Sequence, residues 1–269
     1  MTLELRRPHL ARVPMYLLVS LLVLIPAAGS AQNFSLNFGD LLQLAATDTP
    51  GVGTWYPDRY PPCGFASQAT APDYTNNVLE QDICASNFQT PTPSFFNTQG
   101  RKYDFIANTY SVSILLYVPQ SWSKKNARLA GFWATAADST NAVGFDYPII
   151  EFQGPITSDA GGPGYYPNGG VAGFYGWNNT TGTFNYIGLP PGFKYNNWVE
   201  LTMTVVPGKN FVYTVTALNA PQGLSVKSPF SDSAETGLAN VILEAYNYDS
   251  SYSVFWDNLD FLANSLYCK

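Results

Sequence analysis

Two glutamates on strand-like segments are the residues of this chain best placed to do chemistry. Side chains alternate across a β-strand. In Tyr147-Pro148-Ile149-Ile150-Glu151-Phe152-Gln153, Ile150 and Phe152 therefore take the core side with Pro148, while Tyr147, Glu151 and Gln153 share the other face. The stretch from Val241 to Tyr248 repeats the arrangement, with Val241, Leu243 and Ala245 inward and Glu244, Tyr246 and Tyr248 opposite. Two carboxyl groups facing each other across a cleft are what glycoside hydrolysis uses. They stand about 5–5.5 Å apart in a retaining enzyme and about 6.5–9.5 Å apart in an inverting one. The competing reading makes each glutamate a polar sheet residue hydrogen-bonded to Tyr or Asn.

Other chemistries are closed off by composition. The single histidine, His9, lies in the stretch MTLELRRPHLARVPMYLLVSLLVLIPAAGSA, which has the form of a secretory signal peptide. Arg6, Arg7 and Arg12 supply its positive start, Met15 to Ala28 its apolar run and Gly29-Ser30-Ala31 its small-residue cleavage site. The apolar run is shorter than the about 20 residues needed to span a bilayer. Cleavage at residue 31 leaves no imidazole for a Ser-His-Asp triad or a His-ligated zinc. It also takes away three of 13 basic residues and one of 19 acidic ones, leaving a net charge of −8. With no basic cluster, the chain is not expected to bind nucleic acid or to insert into a membrane. The expected location is extracellular or periplasmic.

The rings are a second constellation. Trp133, Tyr147, Tyr175, Trp177, Tyr246 and Tyr248 fall on strand-like segments off the expected core side, and Asn178, Asn179 and Asn247 lie beside them. Exposed Trp and Tyr stack on the C–H faces of sugars while amides take the hydroxyls. The alternative is that half or more of these rings are core. A third feature is Asp257, in Phe255-Trp256-Asp257-Asn258-Leu259. Read as inward-facing, it requires a partner: a structural Ca²⁺ shared with Asp58, or an ion pair with Arg59 or Arg101. No cofactor is otherwise required.

Cys63 and Cys84 are expected to form a disulfide in an oxidising compartment, leaving Cys268 unpaired; pairing of Cys268 with either, or between molecules, stays open. The glycine-rich loop from Asp159 to Gly170 lacks the lysine and helix of a phosphate cradle.

These groups need a scaffold. Residues 32–269 read as one β domain with an irregular, proline-rich segment to about residue 100. Strands are expected at 111–118, 128–135, 147–153, 171–177, 184–188, 198–206, 211–217, 240–248 and 253–261, with only a helical turn or two near Phe38 to Ala46. Pro207-Gly208-Lys209-Asn210 is a hairpin turn between two alternating strands. Many short strands without helical crossovers predict a two-sheet antiparallel sandwich.

The pair NNWVELTMTVVPGKNFVYTVTAL and the closing strand SVFWDNLDF resemble the second half of a concanavalin A-like or laminin-G-like jelly roll. WYPDRYPPCGF and YPIIEF resemble a group of secreted bacterial proteins of unassigned function. YPIIEF also looks like the nucleophile strand of jelly-roll xylanases, and ILEAYNYDSS like the strand carrying their acid/base. That likeness implies Glu151 as nucleophile and Glu244 as acid/base, although the xylanase thumb loop has no counterpart. Three functions follow: a lectin-like protein recognising a polysaccharide on a concave sheet face; an extracellular glycoside hydrolase, more readily built here than a lyase; or an envelope or matrix protein without a small ligand.

Overall fold

The computed structural model describes residues 31–49, 53–90, 97–124, 128–140, 142–144, 146–155, 170–218, 220–231 and 234–264. The signal-like segment, most of the glycine-rich loop and Cys268 lie outside them. The strands are β1 (Ala31–Leu36), β2 (Tyr56–Pro57), β3 (Gly64–Thr70), β4 (Asn76–Ile83), β5 (Thr98–Val118), β6 (Leu129–Asp138) and β7 (Ile149–Gln153). They continue as β8 (Gly173–Asn178), β9 (Thr183–Gly188), β10 (Asn197–Val206), β11 (Asn210–Ala217), β12 (Leu224–Pro229), β13 (Glu235–Tyr246) and β14 (Tyr252–Asn264).

One long strand joins two layers. Residues 111–118 of β5 pair with β10 on one side and lie beside β14 on the other, whereas residues 98–104 pair with β13. Between those halves Asn108 adopts a left-handed backbone (φ 66°) and the register of β13 slips between Leu238 and Asn240. A bulge of this kind bends a strand. The first sheet therefore runs β12-β11-β10-β5-β14, extended by β1 and by β4-β3 along β14; the second runs β5-β13-β6-β7-β8-β9, with β2 on the outer edge of β5. All ladder pairings are antiparallel. The fold is an all-β, two-sheet jelly-roll sandwich.

Alternation builds the core between the sheets. Val199, Leu201, Met203 and Val205 of β10 and Ile114, Leu116 and Val118 of β5 come from one layer. Phe132 and Ala134 of β6, Ile150 and Phe152 of β7, and Val241, Leu243 and Ala245 of β13 come from the other. The inward sets expected for the strands around Glu151 and Glu244 are the ones observed. The Pro207–Asn210 turn is also found, with Gly208 at φ 68° and the Lys209 N–H bonded to Val206 O at 3.0 Å.

Three expectations need correction. The opening before residue 100 is not irregular: β2, β3, β4 and the start of β5 lie within it. Their sequences hide the alternation, because β4 reads Asn-Asn-Val-Leu-Glu-Gln-Asp-Ile and β3 is broken by a bulge, with Gln68 at φ 62°. No helix forms over Phe38 to Ala46; Phe38 is instead a buried core ring. Asp257 does not face inward. Trp256 takes that side, fully buried with its Nε1–H donating to Gln81 Oε1 at 2.9 Å, and so β14 points Asp257 outward.

Candidate functional site

The outer face of the second sheet gathers the ionisable groups. Gly131 on β6 is in register with Glu151 on β7 and with Glu244 on β13. The two glutamates therefore point to the same side with one strand between them, about 9.6 Å apart at Cα for a strand spacing of ~4.8 Å. The gap at Gly131 is filled by Trp133, whose indole folds back along its own strand. A methyl group on Gly131 would come within 2.4 Å of Trp133 Nε1. Glycine is required there so that the ring can lie against the backbone. Gly100, paired with Glu244, plays the same part: a side chain on it would meet Glu244 Oε2 at 2.7 Å.

The chain entering β3 crosses this face. Tyr56 pairs with Lys102 on the sheet edge, and its hydroxyl donates to Asp104 at 2.6 Å. Asp58 then meets Lys102 Nζ at 2.5 Å and Arg59 Nε at 3.6 Å. Arg59 reaches further, donating to Thr98 Oγ1 and lying 5.4 Å over the Trp133 ring. The expected Cys63–Cys84 disulfide forms just beyond, tying this crossing segment to the end of β4.

Asp58 and Glu244 face each other closely enough for their carboxyl groups to share a proton. Two carboxyl groups can bond only through a shared proton, and the environment decides which keeps it. Glu244 is fully buried; burial, followed by the Asp58 charge, holds its pKa well above the ordinary carboxylate range. Burial also pushes Asp58 up, but the bond from Glu244 and the charges of Lys102 and Arg59 outweigh it and leave its pKa lowered. Glu244 is thus the neutral acid and Asp58 the carboxylate. Beyond Asp58, neither oxygen of Glu244 finds a donor, and Trp133 Nε1 finds no acceptor among the described residues.

Of the residues singled out in the sequence, Trp133, Glu151, Gln153, Tyr175, Glu244 and Tyr246 share this face, but not as an open platform. Glu151 is only 1 % exposed and Trp133 8 %. Tyr175 is buried against Tyr186 with ring centres 5.1 Å apart, and its hydroxyl donates to Val171 O. Burial, with Tyr186 and Glu151 nearby, raises its pKa to about 12. Tyr246 packs on Tyr248 at 4.4 Å, and the Tyr248 hydroxyl donates to Gln153 Oε1. The expectation that Glu151 and the neighbouring rings are presented to solvent is corrected: rings pack on rings, and the Asp58–Arg59 crossing covers part of the face. Trp177, half-buried against Phe184 at 4.9 Å, and Tyr147, 44 % exposed, remain at the rim.

Asp58 and Asp257 are not brought together. Asp58 lies on the second sheet, paired with Lys102 beside Glu244, whereas Asp257 lies on the outside of the first and accepts the Asn258 N–H at 2.8 Å. Their placement cannot make a common calcium site. The described residues contain no group of three or more His, Cys, Asp or Glu able to hold a metal. Sequence reading missed Lys102, Arg59 and Tyr56 as parts of this face; the alternation of Lys102 and Asp104 with Arg101 and Tyr103 was the available signal.

No protein-family model matches the chain, and no curated protein matches it. Among solved structures it is similar to lectin I from Ulex europaeus in complex with the methyl glycoside of α-L-fucose. That match has 14 % identity and a TM-score of 0.47, over 88 % of this chain and 99 % of that one. It is also similar to the alginate lyase Aly36B in complex with an alginate tetrasaccharide (11 %, TM-score 0.47, 86 % and 96 %). A protein of unknown function from Shewanella oneidensis MR-1 is a third (11 %, TM-score 0.44, 90 % and 91 %). At such identity and overlap none of them assigns a ligand or a residue role to this chain.

Proposed function

We propose that this is a secreted protein that binds a polysaccharide or glycan on the outer face of its second sheet. The observation that carries the reading is the buried Trp133 N–H, held over Gly131 between Glu244 and Glu151 without an acceptor among the described residues. An unsatisfied buried donor costs about 1–3 kcal/mol, and natural structures keep few of them. A sugar hydroxyl both accepts and donates, so one such group can satisfy the indole and a flanking carboxyl together. Tyr147, Trp177 and Tyr186 at the rim offer ring faces for stacking. The leader-like first 31 residues and the disulfide support an oxidising, extracytoplasmic location.

The test is affinity electrophoresis of the protein through gels containing a panel of polysaccharides. Retention by at least one, lost in Trp133→Phe, supports the reading; wild-type mobility unchanged by every polysaccharide overturns it.

A second reading, hydrolysis of the glycosidic bond, is favoured by one specific feature. The two glutamates sit on one face with a single strand between them, and the raised pKa of Glu244 suits it to be the acid of such a pair. Glu244 would protonate the leaving oxygen, and Glu151 would activate water. Glu151→Gln should then abolish turnover while leaving retention intact. Absence of turnover by the wild type on every polysaccharide that retains it removes this reading and leaves the first standing.

A further inference from the structure

The outer face of the first sheet takes no part in that site and has its own order. Strand register aligns Ser35 of β1, Asp260 of β14, Ser113 of β5, Thr202 of β10, Thr214 of β11 and Ser225 of β12 in one row. Neighbours in it are spaced by ~4.8 Å. The row is hydroxyl-bearing except at Asp260. Some of these groups bond laterally, Thr214 to Ser225 at 2.9 Å and, in the adjoining row, Ser111 to Thr204 at 2.8 Å.

The face is open. A groove of about 420 Å³ runs along it, and a second of about 290 Å³ adjoins; Glu200 and Asp260 line both. Phe34, stacked on Phe261 at 5.4 Å and partly exposed, lines one end. Among the described residues neither Glu200 nor Asp260 has an ion pair. Lys227 sits on the edge strand β12, two strands beyond β10, and bridges to neither. The groove therefore joins a hydroxyl-lined floor to two uncompensated negative charges.

We propose that this groove is a second glycan site, selective for an amine-bearing sugar chain of the glucosamine-polymer type. Sugar hydroxyls find partners along the serine and threonine row, and protonated amines find Glu200 and Asp260. The same charges disfavour polyuronates. The proposal is independent of the reading of the second sheet, since no residue is shared between the two faces.

Isothermal titration at about pH 6 and low salt with a glucosamine hexamer and with its fully N-acetylated counterpart decides it. The glucosamine hexamer should bind the wild type and the acetylated one should not. The double variant Glu200→Gln/Asp260→Asn should weaken binding about tenfold or more, and salt should weaken it in the wild type. Trp133→Phe should leave it unchanged. Thr202→Val, which removes a hydroxyl without touching charge, should weaken it as well. Equal binding of the two hexamers, unchanged binding by the double variant, or no binding by the wild type overturns the proposal. So does a response to Ca²⁺ alone that is lost in the double variant while the hexamer gives none.

Discussion

The two outer faces of this sandwich are made by the same alternation of strand side chains and end as opposite kinds of surface. On the second sheet, large rings and carboxyl groups alternate with glycines, and a crossing segment pinned by Asp58, Lys102 and Arg59 lies across them. On the first sheet one end of the outward face is closed by the buried Tyr117 and Trp198, but at the other the outward Ser111, Ser113 and Thr202 are short and leave a groove above the backbone. Filling therefore depends on side-chain volume and on what crosses the sheet, and alternation alone does not set it. A closed face holds a few polar groups in fixed, desolvated positions, while an open one offers many interchangeable hydroxyls.

Breaking the closed face should have the largest effect. Replacing Cys63 and Cys84 by serine releases the segment that crosses it. For a loop closed over 21 residues, loss of the cross-link should cost about 3 kcal/mol in the chain-entropy model, read as a lower midpoint in urea unfolding. A midpoint equal to wild type would show that the crossing segment is held by its ion pairs alone. Next comes Gly131→Ala, whose methyl group collides with Trp133 Nε1. Overpacking of this kind costs about 1–3 kcal/mol, and indole fluorescence should shift with it. Unchanged stability would mean that the ring has room to leave the strand.

The pH dependence sharpens the contrast further. Glu244 titrates above its ordinary 4.5 in the fold because burial and Asp58 disfavour the ionised form. An acid of raised pKa keeps a proton that the unfolded chain has released, so stability falls as pH rises from 4.5 toward the folded value. Asp58, lowered in the fold, acts the other way, and its contribution is lost as pH falls through its folded value. Glu244→Gln has no proton to lose and its amide can still donate to Asp58. Its stability should decline less than wild type's on raising pH above 4.5, measured by urea unfolding across a pH series. Parallel curves would contradict the shared proton. The smallest effect belongs to the open face, where Thr202→Val should change stability by no more than about 0.5 kcal/mol.

Much of this scaffold was legible in the sequence, for a physical reason. Where a strand has one buried face, as with Val199, Leu201, Met203 and Val205, period two writes the register directly. The same logic put Glu151 and Glu244 each off the core side of its own strand, and the pairing of both strands with β6 puts them on one sheet. It could not reveal that the side is covered, because coverage comes from Asp58 and Arg59, more than 90 residues from Glu151 in the chain. Nor could it find β3 and β4, whose outward residues are polar and whose ladder is bulged. Asp257 was misread for a related reason. Phe255 and Leu259 looked like one inward set, yet the bulge after Asp257 shifts the parity of the strand, so that Trp256 and Leu259 are both buried.

The most direct measurement is the ¹⁵N–¹H spectrum of the indole groups during titration with the polysaccharide fragments that retain the protein. A hydroxyl arriving over Gly131 must shift the Trp133 Nε1–H resonance, identified by its loss in Trp133→Phe, while the buried Trp256 indole, already bonded to Gln81, stays in place. If saturating fragments move other signals and leave Trp133 untouched, the ligand is bound elsewhere and the second sheet is no recognition face.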